Sequence, residues 1–589
     1  MVRQNRDFIK QLKKCRDIAF SDGELVSIRD LFDRVRNSYS GRTCIIEKKN
    51  KKTVAYSVDR FAWDVKQLSC ALEQTGLTGR HVGIVGENSY RWIVAFFALT
   101  TVGSVAVPID KELPDSDVVK LLKKADASAV FCSAPYYSAS LSMKKDIPDF
   151  KCISLSDKKR DGIADFEEFK SSASSYLQTE EFFKSRTPSA DDTAVIIFTS
   201  GTTGANKGVA LTHGNLCANV DFLSKMIDVP TVFSVLPMNH AYELGCSVLT
   251  AIYINAVLYI NDRLRNLQKN INEFHPEGMT AVPLIADAFY DMIMSESEKL
   301  GKKDRLLKAV KISDSLRKHG VDLRKFMFKN IADSFGGKLP LIACGGAAVN
   351  AEKMNFLDDI GFNVIIGYGL TEASPLATVN FDVFGHPDSV GLPVNGCEIK
   401  IDSPDFDGAG EIFIRGKNVA SGYYNDEESN EKSFTADGWF KTGDFGRIDN
   451  DGYLYITGRK KNLIILDNGK NIYPEEIENI IAENSSVIKE SVVFQTQKET
   501  DGGGKVNVLA AVVGLIPDTF AGKNPDEIMQ SVSDEIYRVN RLLPGYKRIH
   551  DVKFVLNPMP KTSTMKVIRS DVIKLYYDLD RSKISFTKK

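Results

Sequence analysis

VIIFTSGTTGANKGVALTH, residues 195–213, carries the deciding pattern of this chain. An apolar run reads as a buried strand. It leads into Thr199, Ser200, Gly201, Thr202, Thr203 and Gly204, and then into Lys207-Gly208. Small residues let backbone approach an anion closely, hydroxyls donate hydrogen bonds, and a lysine supplies charge. Such a loop is a phosphate cradle. It is not a Walker A loop, because Lys207 is followed by glycine rather than Ser or Thr and the glycine spacing differs.

The flanking sequence supplies the sheet such a loop needs. HVGIVGEN (81–88) reads as a buried strand ending in a loop, SYRWIVAFFALTTVG (89–103) as an apolar helix and SVAVPID (104–110) as the next strand. DVVKLLKKADA (117–127) and SAVFCSA (128–134) repeat helix then strand. This alternation implies parallel sheets covered by helices, with ligand sites beyond the carboxyl ends of the strands. CIIEKKNKKTVAYS (44–57) reads as a hairpin turned at KKNKK. After about residue 385, GCEIKID (396–402), GEIFIRG (410–416) and GYLYITG (452–458) are short strands separated by Gly and Asp turns, a small antiparallel β subdomain. The charged GRKKN (458–462) reads as a linker. Beyond it, NLIILDNGKNIYP (462–474) is a hairpin turned at Asn468-Gly469, and PEEIENII (474–481) opens a helix with Pro474 and two glutamates. The expected fold class is α/β. A large domain over residues 1–460 has parallel-type sheets and the β subdomain, and a small α+β domain follows over 461–589.

Composition narrows the function. The 589 residues hold 76 basic and 77 acidic side chains, a net charge of −1, which argues against a nucleic-acid binder that must displace counterions. The 33 Phe and 20 Tyr argue for a packed core. Nine cysteines without a CxxC pair and seven histidines without an HxxxH spacing predict free thiols in a reducing, cytoplasmic compartment and no protein-ligated transition metal. Trp92–Ile109 and Leu244–Asn261 approach membrane-spanning length, but their internal Gly, Pro and Asn and the α/β context assign them to a soluble core. The basic N-terminus lacks the apolar region of a secretory signal. It reads as a solvated leading helix, with peripheral contact to a membrane surface through Phe8, Ile9 and Leu12 as the alternative.

Five further motifs carry chemistry. In GYGLTEASP (367–375), Tyr368 offers a face for a base, Thr371 a hydroxyl for a phosphate oxygen, and Glu372 a carboxylate for a hard cation such as Mg²⁺. ACGGAAV (343–349) is a small-residue strand end against which a purine and ribose can lie. GWFKTGDFGRIDNDGYLYITGRKKN (438–462) offers Asp444, a bidentate acceptor for two ribose hydroxyls, and Arg459; Asp449 and Asp451 read as turn residues. LPMNHAYELG (236–245) puts His240 after a strand, and PMPKTSTMKVIRS (558–570) carries Lys561 and Lys566.

These motifs, in this order from about Ser27 to Arg569, resemble the adenylate-forming superfamily of acyl-CoA synthetases, peptide-synthetase adenylation domains and luciferases, and most of all the long-chain fatty acyl-CoA synthetases. The resemblance implies an AMP-forming acid–thiol ligase. Such an enzyme activates a fatty acid with Mg-ATP as acyl-adenylate, then passes the acyl group to CoA. It assigns Tyr368 to adenine, Thr371 to the α-phosphate and Glu372 to Mg²⁺. Gly345, Gly346, Ala347 and Gly369 fall to the nucleotide and acyl pockets, Asp444 with Arg459 to the ribose, and His240 beside the acyl site. Lys566 matches the lysine of the PKTxxGK motif, on a mobile C-terminal domain whose hinge falls at Lys461, while Gly469 lines the pantetheine tunnel. Lys561 is a flanking charge.

Two departures stand out: Met565 where the family has glycine, and Asn206 where proline is usual. Glycine at 369, where acetate-type members carry a bulky aromatic, suggests a void for a medium- to long-chain tail, at about 0.8 kcal/mol per buried methylene. The lack of an FDxS-like sequence near His240 disfavours amino acids. Two other readings stay open, delivery of the acyl group to an acyl carrier protein and a non-catalytic acyl- or nucleotide-binding role. GKNIYP (469–474), where ligases that do not use CoA tend to read GRNHYP, favours CoA over the carrier.

Overall fold

The computed structural model describes residues 23–173, 180–200, 206–338, 341–465, 471–499, 505–516, 519–556, 558–562 and 566–578. The chain forms two compact units. The first comprises residues up to Gly346 with Lys353–Ile399 and Ile414–Phe440; the second gathers Ala347–Glu352, Lys400–Phe413 and the chain from Lys441 onward.

Two sheets organise the first unit. One runs in the order Gly422–Tyr423, Asn206–Thr212, Thr193–Ser200, Val105–Ile109, His81–Val85, Ala129–Cys132 and Lys151–Ser154. Its last five strands are parallel, as helix–strand alternation requires. The strand of the phosphate motif, however, turns back on itself, because Thr193–Ser200 pairs antiparallel with Asn206–Thr212. The motif therefore leads from one strand into an antiparallel strand, and not into a helix as a Walker A loop does.

The second sheet has nine strands, and its interior is parallel: Asn363–Gly369, Leu341–Gly345, Gly278–Ala281, Thr231–Ser234, Val257–Ile260 and Thr43–Lys49. Thr43–Lys49 also pairs antiparallel with Lys52–Ser57, the hairpin read at 44–57. Asn50 and Lys51 take positive φ at its turn, which an Asn accepts readily. In this sheet the connection reverses direction between Thr231–Ser234 and Gly278–Ala281, a switch point where α/β sheets place ligands.

The apolar stretches are buried in the protein core. The helix Tyr90–Thr100 is buried along its length, with Ser89 capping Trp92 N and Phe97 packed edge-on to Phe61. The stretch 244–261 becomes a π-helical Glu243–Leu249, a short helix Thr250–Tyr253 and the strand Val257–Ile260. Among the described residues no helix is long and apolar enough to cross a membrane.

A four-stranded sheet runs Cys397–Asp402, Gly410–Gly416, Phe440–Ile448 and Leu454–Arg459. Further on, Ile464–Ile465 and Asn471–Ile472 pair antiparallel as the predicted hairpin, whose turn lies outside the described residues. Helix Pro474–Asn484 starts at its proline, with Glu475 and Glu476 in its first turn. It packs with helix Pro525–Asn540 on the sheet of Ile488–Glu499, Lys505–Leu515 and Ile549–Val555, around a core of Ile477, Ile481, Val513 and Val532.

Candidate active site

The phosphate hairpin is fastened along its second strand. Lys124 Nζ donates to the Asn206 carbonyl at 2.6 Å, and Tyr424 N donates to the Gly208 carbonyl at 2.7 Å. Strand Gly422–Tyr423 pairs with Val209–Ala210, which brings the Tyr423 ring to the Lys207 ammonium at 4.7 Å from its centroid. Tyr423 Oη donates to Glu372 Oε1 at 2.8 Å, and burial followed by this carboxylate pushes the phenol far above its ordinary range. Lys207, Tyr423 and Glu372 thus form one connected group. Glu372 sits on the turn Thr371–Ala373 and accepts at its carbonyl from Ala420 N at 2.8 Å. Thr199 and Ser200 end the first strand of the hairpin; Gly201, Thr202, Thr203 and Gly204 lie outside the described residues.

The neighbouring strand ends come together by register. Gly345 pairs with Gly367, two residues before Gly369 on the strand that carries the buried Tyr368. A Cβ on Gly345 would meet the Gly367 carbonyl oxygen at 2.8 Å, so this crossing needs glycine. Gly346 follows with φ +83°, a left-handed conformation that glycine adopts without cost. Gly369 corrects the reading from sequence. A Cβ there would fall 1.9 Å from the Pro375 carbonyl oxygen, so the position is closed by backbone and opens no void for an acyl tail.

At the switch point of the nine-stranded sheet stands His240, half-buried. Desolvation lowers its pKa, and Asp110 acts in the opposite sense, so the imidazole is neutral at neutral pH. Two residues not singled out from the sequence shape this corner. Asn88 follows strand His81–Val85 and bridges to the second sheet, donating to the Leu236 carbonyl at 2.7 Å and accepting from Met238 N at 3.0 Å. Glu243 is wholly buried; it accepts from Thr280 Oγ1 at 2.6 Å through Oε2, while among the described residues Oε1 has no hydrogen-bond partner. Burial pushes its pKa up to about 7. An acid three residues after a histidine, opening an apolar helix, was the available signal for Glu243. For Asn88 there was none, because its partners lie 148 and 150 residues away.

In the second unit, Asp444 and Arg459 are paired across antiparallel strands, with Arg459 Nε 3.0 Å from Asp444 Oδ1. Asp444 is buried and Arg459 partly open, an arrangement that aims one carboxylate and its cation at a common point. Lys566 lies in the field of this pair. Desolvation and repulsion from Arg459 and Lys461 outweigh attraction to Asp444 and Glu475, lowering its pKa to about 8. Its backbone is tied to Thr562, with Thr562 N donating to the Lys566 carbonyl at 2.8 Å and Lys566 N to Thr562 Oγ1 at 3.2 Å. Lys561 turns elsewhere, with Nζ 2.7 Å from Glu490 Oε2, as befits a flanking charge. Lys461 is exposed in the turn Lys460–Asn462, and Ala347 belongs to the segment 347–352. Gly469 and Met565 lie outside the described residues.

Comparison with known proteins bears on this arrangement. Residues 32–424 match the AMP-binding enzyme family, and residues 461–579 match the AMP-binding enzyme C-terminal domain. The chain belongs to the AMP-binding enzymes. Among curated relatives of this AMP-binding enzyme, long-chain-fatty-acid–CoA ligase 5 of Rattus norvegicus is 29% identical, over 69% of this chain and 64% of its own. The peroxisomal long chain acyl-CoA synthetase 6 of Arabidopsis thaliana is 30% identical, over 75% and 66%. The chain thus spans just under two thirds of the length of these two relatives. Among solved structures, ATP-bound MatB from Rhodopseudomonas palustris superposes with a TM-score of 0.72 at 22% identity, over 94% of this chain and 99% of that one. The anthranilate CoA ligase AuaEII gives 0.74 at 20%, over 95% and 99%. At these identities the structures establish the fold: an α/β N-terminal part with largely parallel sheets and a smaller C-terminal part.

Proposed function

We propose that this AMP-binding enzyme is an AMP-forming ligase that joins medium- to long-chain fatty acids to CoA. The observation that carries this reading is the Lys566 ammonium in the field of Asp444 and Arg459, supported by the names of the curated relatives. In the first half-reaction a carboxylate oxygen attacks the α-phosphorus of ATP, and the bond to pyrophosphate breaks. The nucleophile is weak and the electrophile highly charged, so positioning and charge neutralisation dominate. Thr199, Ser200, Thr202, Thr203 and Lys207 hold the β- and γ-phosphates, Tyr368 stacks on adenine beside Gly345, Gly346 and Ala347, and Thr371 holds the α-phosphate. Asp444 and Arg459 take the ribose hydroxyls. Lys566 donates to the acid and the α-phosphate as charge shifts between them, and His240 borders the acid. In the second half-reaction a thiol sulfur attacks the acyl carbon, AMP leaves, and the thiol proton passes to solvent.

Among the described residues no group of three or more His, Cys, Asp or Glu forms a metal cage. The single carboxylate of Glu372, oriented by Tyr423, fits Mg²⁺, which binds through one or two carboxylates and substrate phosphates. When bound, the ion would neutralise phosphate charge. Lys461 is the proposed hinge between domains 1–460 and 461–589, and Gly469 the proposed tunnel residue.

The test is purified protein with ATP, Mg²⁺ and a ladder of saturated fatty acids, offered CoA or a holo acyl carrier protein. AMP and acyl-CoA should form together, best with the longer acids. Thioester on the carrier alone would replace CoA as acceptor. No AMP with any acid would leave only a binding role.

A further inference from the structure

Residues 299–329, between the strands Gly278–Ala281 and Leu341–Gly345, concentrate charge in a nearly neutral protein. They hold eleven Lys and Arg against three Asp, while the whole chain has a net charge of −1. The acids are largely spent inside the segment. Asp322 pairs with Arg324 at 2.7 Å and Asp314 with Lys318 at 3.0 Å. Arg324 and Arg317 face inward to Asp358 and Asp359, which pins the excursion to the body. Lys299, Lys303 and Lys329 reach Glu296, Glu298 and Asp333 just outside it. On helix Lys303–Lys318, Arg305, Lys308 and Lys311 recur at three-residue spacing on one exposed face, with Ile312 beside them.

Apolar side chains are exposed on the same excursion: Leu300 58%, Ile312 55% and, beyond the turn at Gly320, Phe326 85%, next to Lys325. Phe326 and Lys325 also rim a cleft of about 710 Å³ with Leu323 and Lys329. The cleft reaches Glu277, Leu341 and Asn363, at the amino ends of the parallel strands. That is the edge opposite Gly345 and Thr371, so an occupant here leaves the candidate site open.

We infer that this excursion docks the enzyme on an anionic lipid bilayer. Charge complementarity selects the partner: clustered lysines are attracted to anionic headgroups, and exposed Phe, Leu and Ile interleaved with them enter the boundary between headgroups and acyl chains. An acidic protein surface would satisfy the lysines but leave Phe326 without the apolar medium its exposure calls for.

Co-sedimentation of the full chain with vesicles tests this, using phosphatidylcholine alone or mixed with phosphatidylglycerol. The protein should sediment with the mixed vesicles and not with the neutral ones, and less at high salt as the attraction is screened. Lys308→Gln with Lys311→Gln should weaken binding about 25-fold, at roughly five-fold per lysine. Phe326→Ser should weaken it several-fold without changing the salt dependence. Both changes lie on the surface, so melting temperatures should match wild type, and either variant decides alone if the other is unstable. Equal sedimentation of wild type and a folded variant overturns the inference. So does no binding, binding indifferent to lipid charge, or capture by an acidic carrier protein and not by vesicles. The readout needs no turnover, so it stands apart from the ligase reading.

Discussion

Lys566 carries a charge that protein surroundings make easier to lose, with its pKa lowered to about 8 from an ordinary lysine's 10.5. Its ammonium must be protonated to offset phosphate charge, so the free enzyme loses capacity for the first half-reaction as pH rises through about 8. The expected kcat/KM for ATP in pyrophosphate exchange therefore has a basic limb near pH 8. Lys566→Arg, whose guanidinium does not deprotonate, should lower the rate through altered reach but move that limb out of range. A shared basic limb in both proteins would assign the titration to another group. Lys566 could be singled out in the sequence because a motif of fixed order surrounds it. Tyr423 could not, because its meaning lies in Lys207 and Glu372, brought together only by strand pairing. Gly369 was misread for a related reason: the atom that demands glycine, the Pro375 carbonyl, belongs to a return of the chain that residue type alone does not reveal.

The π-helical turn Glu243–Leu249 shows the same limit for an element. Length and apolarity located helix, turn and strand in 244–261, yet not the carboxyl at the start. Thr250 Oγ1 donates to the Gly245 carbonyl at 2.8 Å, five residues back, supporting the wider turn. Glu243 is buried there, and desolvation raises its pKa from 4.5 to about 7. The unfolded chain releases this proton near pH 4.5 and the folded one near 7. Stability should thus fall as pH rises between those values, by up to roughly 3 kcal/mol, and stay level above. Glu243→Gln removes the titration. Denaturant melts at pH 5 and pH 8 should show wild type losing stability relative to the variant across that interval. Parallel pH dependence in the two proteins would mean that the carboxyl ionises at its ordinary value.

At the scale of the molecule, helix–strand alternation specified the sheets and the turn-rich region after 385 specified the four-stranded sheet, because both follow from local periodicity. How the chain groups into units was less legible: Lys400–Phe413 and the residues from Lys441 cluster with the C-terminal part, set by packing rather than by composition. The proposed two half-reactions require that grouping to change at Lys461. This residue lies in a 3₁₀ turn, whose φ a proline ring can adopt. Lys461→Pro should therefore keep the arrangement in which Lys566 faces Asp444 and Arg459, while removing the freedom to leave it. Pyrophosphate exchange should persist and acyl-CoA formation should fall by an order of magnitude or more. Some strain at Lys460, the residue before the ring, is expected to lower the melting temperature slightly. Lys461→Ala loses the same side chain but keeps backbone freedom, so it should support both half-reactions. If alanine is as damaging as proline, the lysine side chain matters and the hinge does not. If neither change alters thioester formation, the two stages share one arrangement of the chain.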